Sequence, residues 1–164
     1  MVQLVKQDIA RHIYVYNSSH LTPTERVKFF YALKGRNGKP GILDSTQSIF
    51  LAKSVISVTK DNAKEIEAFL KTWKCKFSTK KTSKEKPTHA LIRYSTTQLN
   101  ASQRVQFVYG MYGRGSAKGI FKKGSKEVLA KSVFFVPLKR LNEVKQFLKS
   151  WNCETLIEEV TVNE

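Results

Sequence analysis

One stretch of this chain occurs twice, and the repeat limits the folds open to it. Phe29 to Ile42 reads FFYALKGRNGKPGI, and Phe107 to Ile120 reads FVYGMYGRGSAKGI. The offset is 78 residues and holds without a gap from Tyr16/Tyr94 to Cys75/Cys153, with about a third of the positions identical. A period of this length predicts two copies of one small unit rather than a single irregular domain.

The expected elements follow from local chemistry. Ile13 to Tyr16 is β-branched and aromatic, which predicts a strand. Thr22 as N-cap, Pro23 at the first helical position and Glu25 at the third form a capping box, and Asn100 and Gln103 repeat it. The helix is expected over roughly 23–35, stopped by Gly35 as a left-handed cap. Gly38, Pro40 and Gly41 then make a loop, Ile42-Leu43 begins a strand, Asp44 to Gln47 turns, and Ser48 to Val58 reads as one long strand. Asp61 or Asn62 caps a second helix to about Trp73, whose apolar positions Ile66, Phe69, Leu70 and Trp73 share one face. Val144, Phe147, Leu148 and Trp151 repeat that stripe. Closing strands are expected over Lys76 to Thr79 and Thr155 to Val162, and Val2, Leu4 and Val5 could add a strand edge.

The fold class is therefore α+β: an internal duplication of a β-α-β-β-α-β unit, packed as a pseudo-two-fold, with helices on one face of the sheet. The units are expected at 11–79 and 89–162, joined by a basic linker at 80–88. In the long strand, Phe50, Ala52, Ser54, Ile56 and Val58 should meet the helices. Leu51, Lys53 and Val55, with Leu129, Lys131 and Val133, should form an open face. That face is either an ordinary solvated surface or a binding platform.

Charge narrows the partners. The chain has 29 Lys and Arg against 13 Asp and Glu, a net charge of +16. Four of the acids lie in the last eleven residues, which carry no base, so residues 1–153 are more basic still. Such a surplus points to polyanions, namely DNA, RNA or an anionic surface. The sequence has no apolar run of membrane-spanning length and no signal-peptide core at its start, so an intracellular protein, in cytoplasm, nucleoid or nucleus, is expected. Two cysteines make no disulfide framework, no metal-ligand spacing occurs, and no cofactor is expected.

The candidate contacts cluster at the repeated loop. Arg36 and Arg114 follow the helix-ending glycines, with Lys39 and Lys118 near them. Glycine-rich turns cradle phosphate with backbone N–H groups, and Arg binds it bidentately. The competing reading of Arg36 is a cation placed favourably near a helix C-terminus. The P-loop pattern is absent, so nucleotide hydrolysis lacks its motif. Lys122 and Lys123 add charge in the second copy, Lys53 and Lys131 recur on the long strand, and Lys80 and Lys81 open the linker.

Other residues carry less. Arg26 and Arg104 sit in a first helical turn, against the dipole, and want a partner, either external phosphate or an internal contact. Trp73, Trp151, Tyr31 and Tyr109 read as structural, whereas Phe135 on the open face is a candidate base-stacking platform. Cys75 and Cys153 read as buried thiols. His12, His20 and His89 form no pair at ligand or catalytic spacing. Glu65/Glu143 is the only acid shared by both copies, while Asp44 and Glu127 have no acidic counterparts, so a symmetric acid-based nuclease site is not expected.

The helix ends Leu33-Lys34-Gly35-Arg36-Asn37-Gly38 and Met111-Tyr112-Gly113-Arg114-Gly115-Ser116, each followed by strands and a second helix, resemble in outline the single-chain LAGLIDADG homing endonucleases. The resemblance implies a DNA-binding saddle of sheet. It does not imply cleavage, because the metal-binding acid that family carries at the helix end has no match in either copy.

The expected function is non-enzymatic nucleic-acid binding, with double-stranded DNA ahead of RNA, by a monomer with pseudo-dimer symmetry. RNA binding within a ribonucleoprotein, a nuclease on a LAGLIDADG-like scaffold lacking the usual acids, and a protein partner docked on the acidic C-terminal strand (Glu154, Glu158, Glu159) are the alternatives.

Overall fold

The computed structural model of the chain describes residues 10–83 and 86–163. The strand edge expected at Val2, Leu4 and Val5 lies outside them, as do Lys84 and Glu85 of the expected linker. The protein is α+β, with antiparallel strand pairing and five helices among the described residues. The described residues divide into two compact units: 10–83 and 86 with 161–163, and 87–160.

Unit 1 runs β1 (Arg11–Asn17), α1 (Pro23–Lys34), β2 (Gly35–Arg36), β3 (Lys39–Pro40), α2 (Ile42–Ser45), β4 (Ile49–Ala52), β5 (Val55–Thr59), α3 (Ala63–Thr72) and β6 (Lys76–Ser83). Its sheet is ordered β6-β1-β5-β4, all antiparallel, which is the order of a split β-α-β motif. Unit 2 runs β7 (His89–Ser95), α4 (Ala101–Tyr112), β8 (Gly113–Arg114), β9 (Ala117–Lys118), β10 (Val128–Ala130), β11 (Val133–Pro137), α5 (Leu138–Ser150) and β12 (Glu154–Asn163). Its strands are ordered β12-β7-β11-β10, again antiparallel. The last residues of β12, Thr161 to Asn163, pair with Ser83 to Lys81 of β6 and belong to unit 1.

Helix starts follow the sequence. The Thr22 hydroxyl accepts from Glu25 N–H at 3.3 Å while the Glu25 carboxylate accepts from Thr22 N–H at 2.8 Å. Asn100 and Gln103 exchange the same two bonds, each at 2.9 Å. These caps satisfy N–H groups that the first helical turn leaves without partners. In unit 1, Phe29 and Leu33 of α1 and Ile66 and Leu70 of α3 bury against Tyr14 and Tyr16 of β1 and Ile56 and Val58 of β5. In unit 2, Phe107, Met111, Val144 and Leu148 meet Ile92, Tyr94, Phe134 and Val136. Trp73 and Trp151 are partly buried and pack against these cores, nearly perpendicular to Phe29 at 5.5 Å and Phe107 at 5.8 Å.

Several expectations need correction. Ile42-Leu43 begins the short helix α2, not a strand; the Asp44 carboxylate accepts the Gly41 N–H at 3.0 Å and starts that turn. The long strand Ser48 to Val58 is a hairpin, folded at Lys53-Ser54. Tyr16 of β1 holds this fold: its hydroxyl donates to the Lys53 carbonyl at 2.7 Å, and its N–H donates to the Ser54 carbonyl at 2.9 Å. Tyr94 makes the equivalent bonds to the Lys131 and Ser132 carbonyls. Because Phe50 pairs directly with Ile56, the two still share the helix-facing side.

The second sheet face is not open. Ile13, Leu51, Val55 and Ser57 in unit 1, and Leu91, Val133 and Phe135 in unit 2, are buried. Phe135 lies flat on His89 with ring centres 5.1 Å apart, which removes it as a base-stacking platform. Finally, Lys80 and Lys81 are strand residues of β6, paired with Ile13 and His12, and not part of a connecting loop.

Candidate nucleic-acid interface

Each unit turns its first helix directly into a two-stranded hairpin. Gly35 does not adopt the left-handed helical cap expected of it; φ is +83° with ψ 169°, a conformation open in practice only to glycine. A Cβ there would stand 2.3 Å from the Lys39 carbonyl oxygen. A Cβ on Gly41 would stand 2.3 Å from the Gly35 nitrogen, so the hairpin crosses its own base at a distance that only paired glycines allow. Gly113 and Gly119 meet the same way, at 2.2 and 2.3 Å. The tip in unit 1 is Asn37-Gly38, both at positive φ, the pairing that favours a tight hairpin turn. In unit 2 the tip is Gly115-Ser116.

These hairpins set the expected arginines. Arg36 is exposed, and its guanidinium lies 4.3 Å from the centre of the Tyr31 ring; Arg114 lies 4.7 Å from that of Tyr109. Tyr31 and Tyr109 were expected to be structural, yet they are 40% and 38% exposed and serve as platforms for the arginines. A guanidinium held flat on a ring keeps its edge N–H groups free for an anion. Lys39 is exposed on β3. A shallow cleft of about 430 Å³ beside it is walled by Lys34, Arg36, Lys39 and Asp44, and the Lys34 ammonium caps the Phe50 ring at 3.8 Å.

Unit 2 holds a larger cleft, about 850 Å³, lined by Tyr112, Ser116, Lys118, Lys122, Lys123 and Ser125. The three lysines are exposed, and none has an ion-pair partner among the described residues. Arg140 of α5 closes one wall. It pairs with Glu127, donates to Glu143 at 2.9 Å and to the Ile120 carbonyl at 2.6 Å, and stacks on Phe121. Glu143 first, and Glu127 with it, holds Arg140 firmly in its charged form. Glu127 is thus committed to an internal pair, as Asp44 is to the α2 turn.

The remaining expected residues are dispersed. Lys53 and Lys131 are exposed at the β4–β5 and β10–β11 turns. Lys81 is exposed and Lys80 half-buried on β6. Arg26 and Arg104 have internal partners: Arg26 donates to the Leu21 carbonyl at 3.0 Å, and Arg104 to the Thr96 and Thr97 carbonyls at 3.4 Å, which ties each helix to the loop before it. His20 Nε2 lies 3.0 Å from the Trp73 carbonyl, and Gln98 at the matched position donates to the Asn152 carbonyl at 2.9 Å, so both are structural links. Cys75 and Cys153 are free thiols, and burial pushes both upward in pKa.

Sequence reasoning passed over Tyr112 and Arg140 and took Tyr31 and Tyr109 as structural. Only the Asn37-Gly38 dipeptide advertised the hairpin that carries Arg36. No protein-family model and no curated protein matches this chain. Among the described residues, no helix is long and apolar enough to cross a membrane, and no three His, Cys, Asp or Glu side chains converge into a metal-holding group.

Proposed function

We propose that the chain binds nucleic acid without cleaving it, duplex DNA ahead of RNA, through the Arg36 and Arg114 hairpins and the lysines beside them. The observation that carries this reading is the matched pair of arginines, each over a helix tyrosine in the first strand of a glycine-crossed hairpin. An exposed guanidinium beside an aromatic ring suits phosphate, and the net charge of +16 supplies the long-range attraction. The same proposal includes descent of the two units from one duplicated unit and their pairing about a pseudo-two-fold, which would suit the dyads of a duplex. The loops replace the buried sheet face as the contact surface.

The test is equilibrium binding of duplex DNA, single-stranded DNA and a structured RNA at two salt concentrations. With six to ten phosphate contacts, affinity should fall by about 10³–10⁵ between 50 and 200 mM salt. A flat salt response overturns the proposal, and preference for the RNA moves the partner to a ribonucleoprotein.

A further inference from the structure

We propose that the cleft of unit 2 seats a single nucleotide, with its phosphate on Lys118, Lys122 and Lys123 and its base against Tyr112. This deepens the nucleic-acid reading and rests on it. The two units differ most at this place. Where unit 1 has Asp44 and Ser45 in the helix α2, unit 2 has Lys122 and Lys123 at the matched positions, in a helix-free segment that turns at Gly124 with φ +76°. Asp44 spends its carboxylate on the Gly41 N–H, whereas Lys122 and Lys123 point no charge at any partner among the described residues. Lys34 of unit 1 is matched by Tyr112, which is half-buried at the cleft wall.

Size and chemistry agree with the assignment. A cleft of about 850 Å³ falls in the range of small-ligand sites, about 300–1,000 Å³. The lining combines a partly buried aromatic residue, Tyr112, with three lysines and the Ser116 and Ser125 hydroxyls, the kinds of group that a base and its phosphate need. Arg140 does not serve as a ligand group. Its bonds to Glu127, Glu143 and the Ile120 carbonyl link α5 to the 120–127 segment. Glu127, which also lines the cleft, is paired with Arg140.

The test uses the full chain, with adenosine monophosphate as probe and binding read by calorimetry. Wild type should bind it. Lys122→Asp, which installs the residue that unit 1 carries there, should weaken it at least tenfold. Tyr112→Leu, which keeps an apolar side chain at the rim, should weaken it at least about fivefold. A charge change elsewhere, Lys64→Asp on the exposed side of α3, should not. Equal weakening by Lys64→Asp, or binding of inorganic phosphate as tight as that of the nucleotide, overturns the seat. Competition by a 5′-phosphorylated decamer assigns the nucleotide to a strand, and its absence assigns the seat to a free nucleotide. No nucleotide binding with salt-dependent duplex binding intact overturns the seat alone; loss of both overturns the function as well.

Discussion

The Arg36 guanidinium lies 4.3 Å from the centre of the Tyr31 ring, five residues back in the chain and on the preceding helix. Gly35, at φ +83° and ψ 169°, turns the chain sharply out of α1 one residue before Arg36. Arg114 and Tyr109 stand in the same relation. Removing charge and removing platform should therefore have separable effects. Arg36→Ala should lower the slope of log affinity against log salt by about one. Tyr31→Leu should leave that slope unchanged and weaken duplex binding two- to fivefold, the worth of about 0.5–1 kcal/mol for an exposed cation–ring contact. Anisotropy titrations over a salt series distinguish the two.

The glycines of the hairpin base differ in what they tolerate. Gly35→Ala puts a Cβ against the Lys39 carbonyl oxygen and should destabilise unit 1 by at least about 2 kcal/mol. Gly38→Ala meets no atom within 4 Å and carries only the cost of its positive φ, about 1 kcal/mol. Urea denaturation of both variants checks the order, and equal losses would count against the crossing geometry.

Arg140 links α5 to the 120–127 segment through Glu127, Glu143 and a backbone carbonyl. Its side chain is 24% exposed, so solvent screens the ion pairs and only part of their Coulomb energy is realised. Arg140→Ala should cost about 1–3 kcal/mol, mostly by leaving the Ile120 carbonyl and Glu127 short of donors. Thermal melts alongside Lys145→Ala, an exposed neighbour on the same helix, give the reference.

His12 supplies a pH dependence. Burial, and then the Lys81 ammonium, lower its pKa from the ordinary 6.5; Glu67 acts weakly the other way and Lys60 adds to the lowering. Below pH 6.5 the unfolded chain takes up a proton that the folded chain resists. The folded state thus keeps the full benefit above pH 6.5 and loses it as pH falls through the lowered value. Stability measured from pH 7.5 down to 5 should decline, and His12→Gln should flatten that decline. An unchanged profile in the variant would assign the slope to other groups.

Much of this architecture was legible because it is written locally. A capping box at Thr22 and Glu25 needs only four consecutive residues, and the stripe of Ile66, Phe69, Leu70 and Trp73 only two helical turns. The hairpin at Lys53-Ser54 was not legible. FLAKSVISV contains no glycine, proline or asparagine, and its alternation runs through the turn without a break. What bends it is Tyr16, 37 residues earlier, whose hydroxyl and N–H take both turn carbonyls. Burial of Val55, Val133 and Phe135 was equally hidden, since alternation shows that a strand has two faces but not whether the second is covered.

By itself, then, the sequence determined the helices with their N-terminal capping boxes, the apolar helix stripes and the excess of positive charge. Each follows from backbone sterics or from neighbours within a few residues. Only the tertiary structure decided which cations face outward and what they rest on. Arg26 turns inward to carbonyls of its own loop, Arg36 lies on a tyrosine, and Arg140 spends its charge on Glu127 and Glu143. The same side chain type meets three fates because the partners that settle each one are brought in by the fold, and no pattern of spacing along the chain records their arrival.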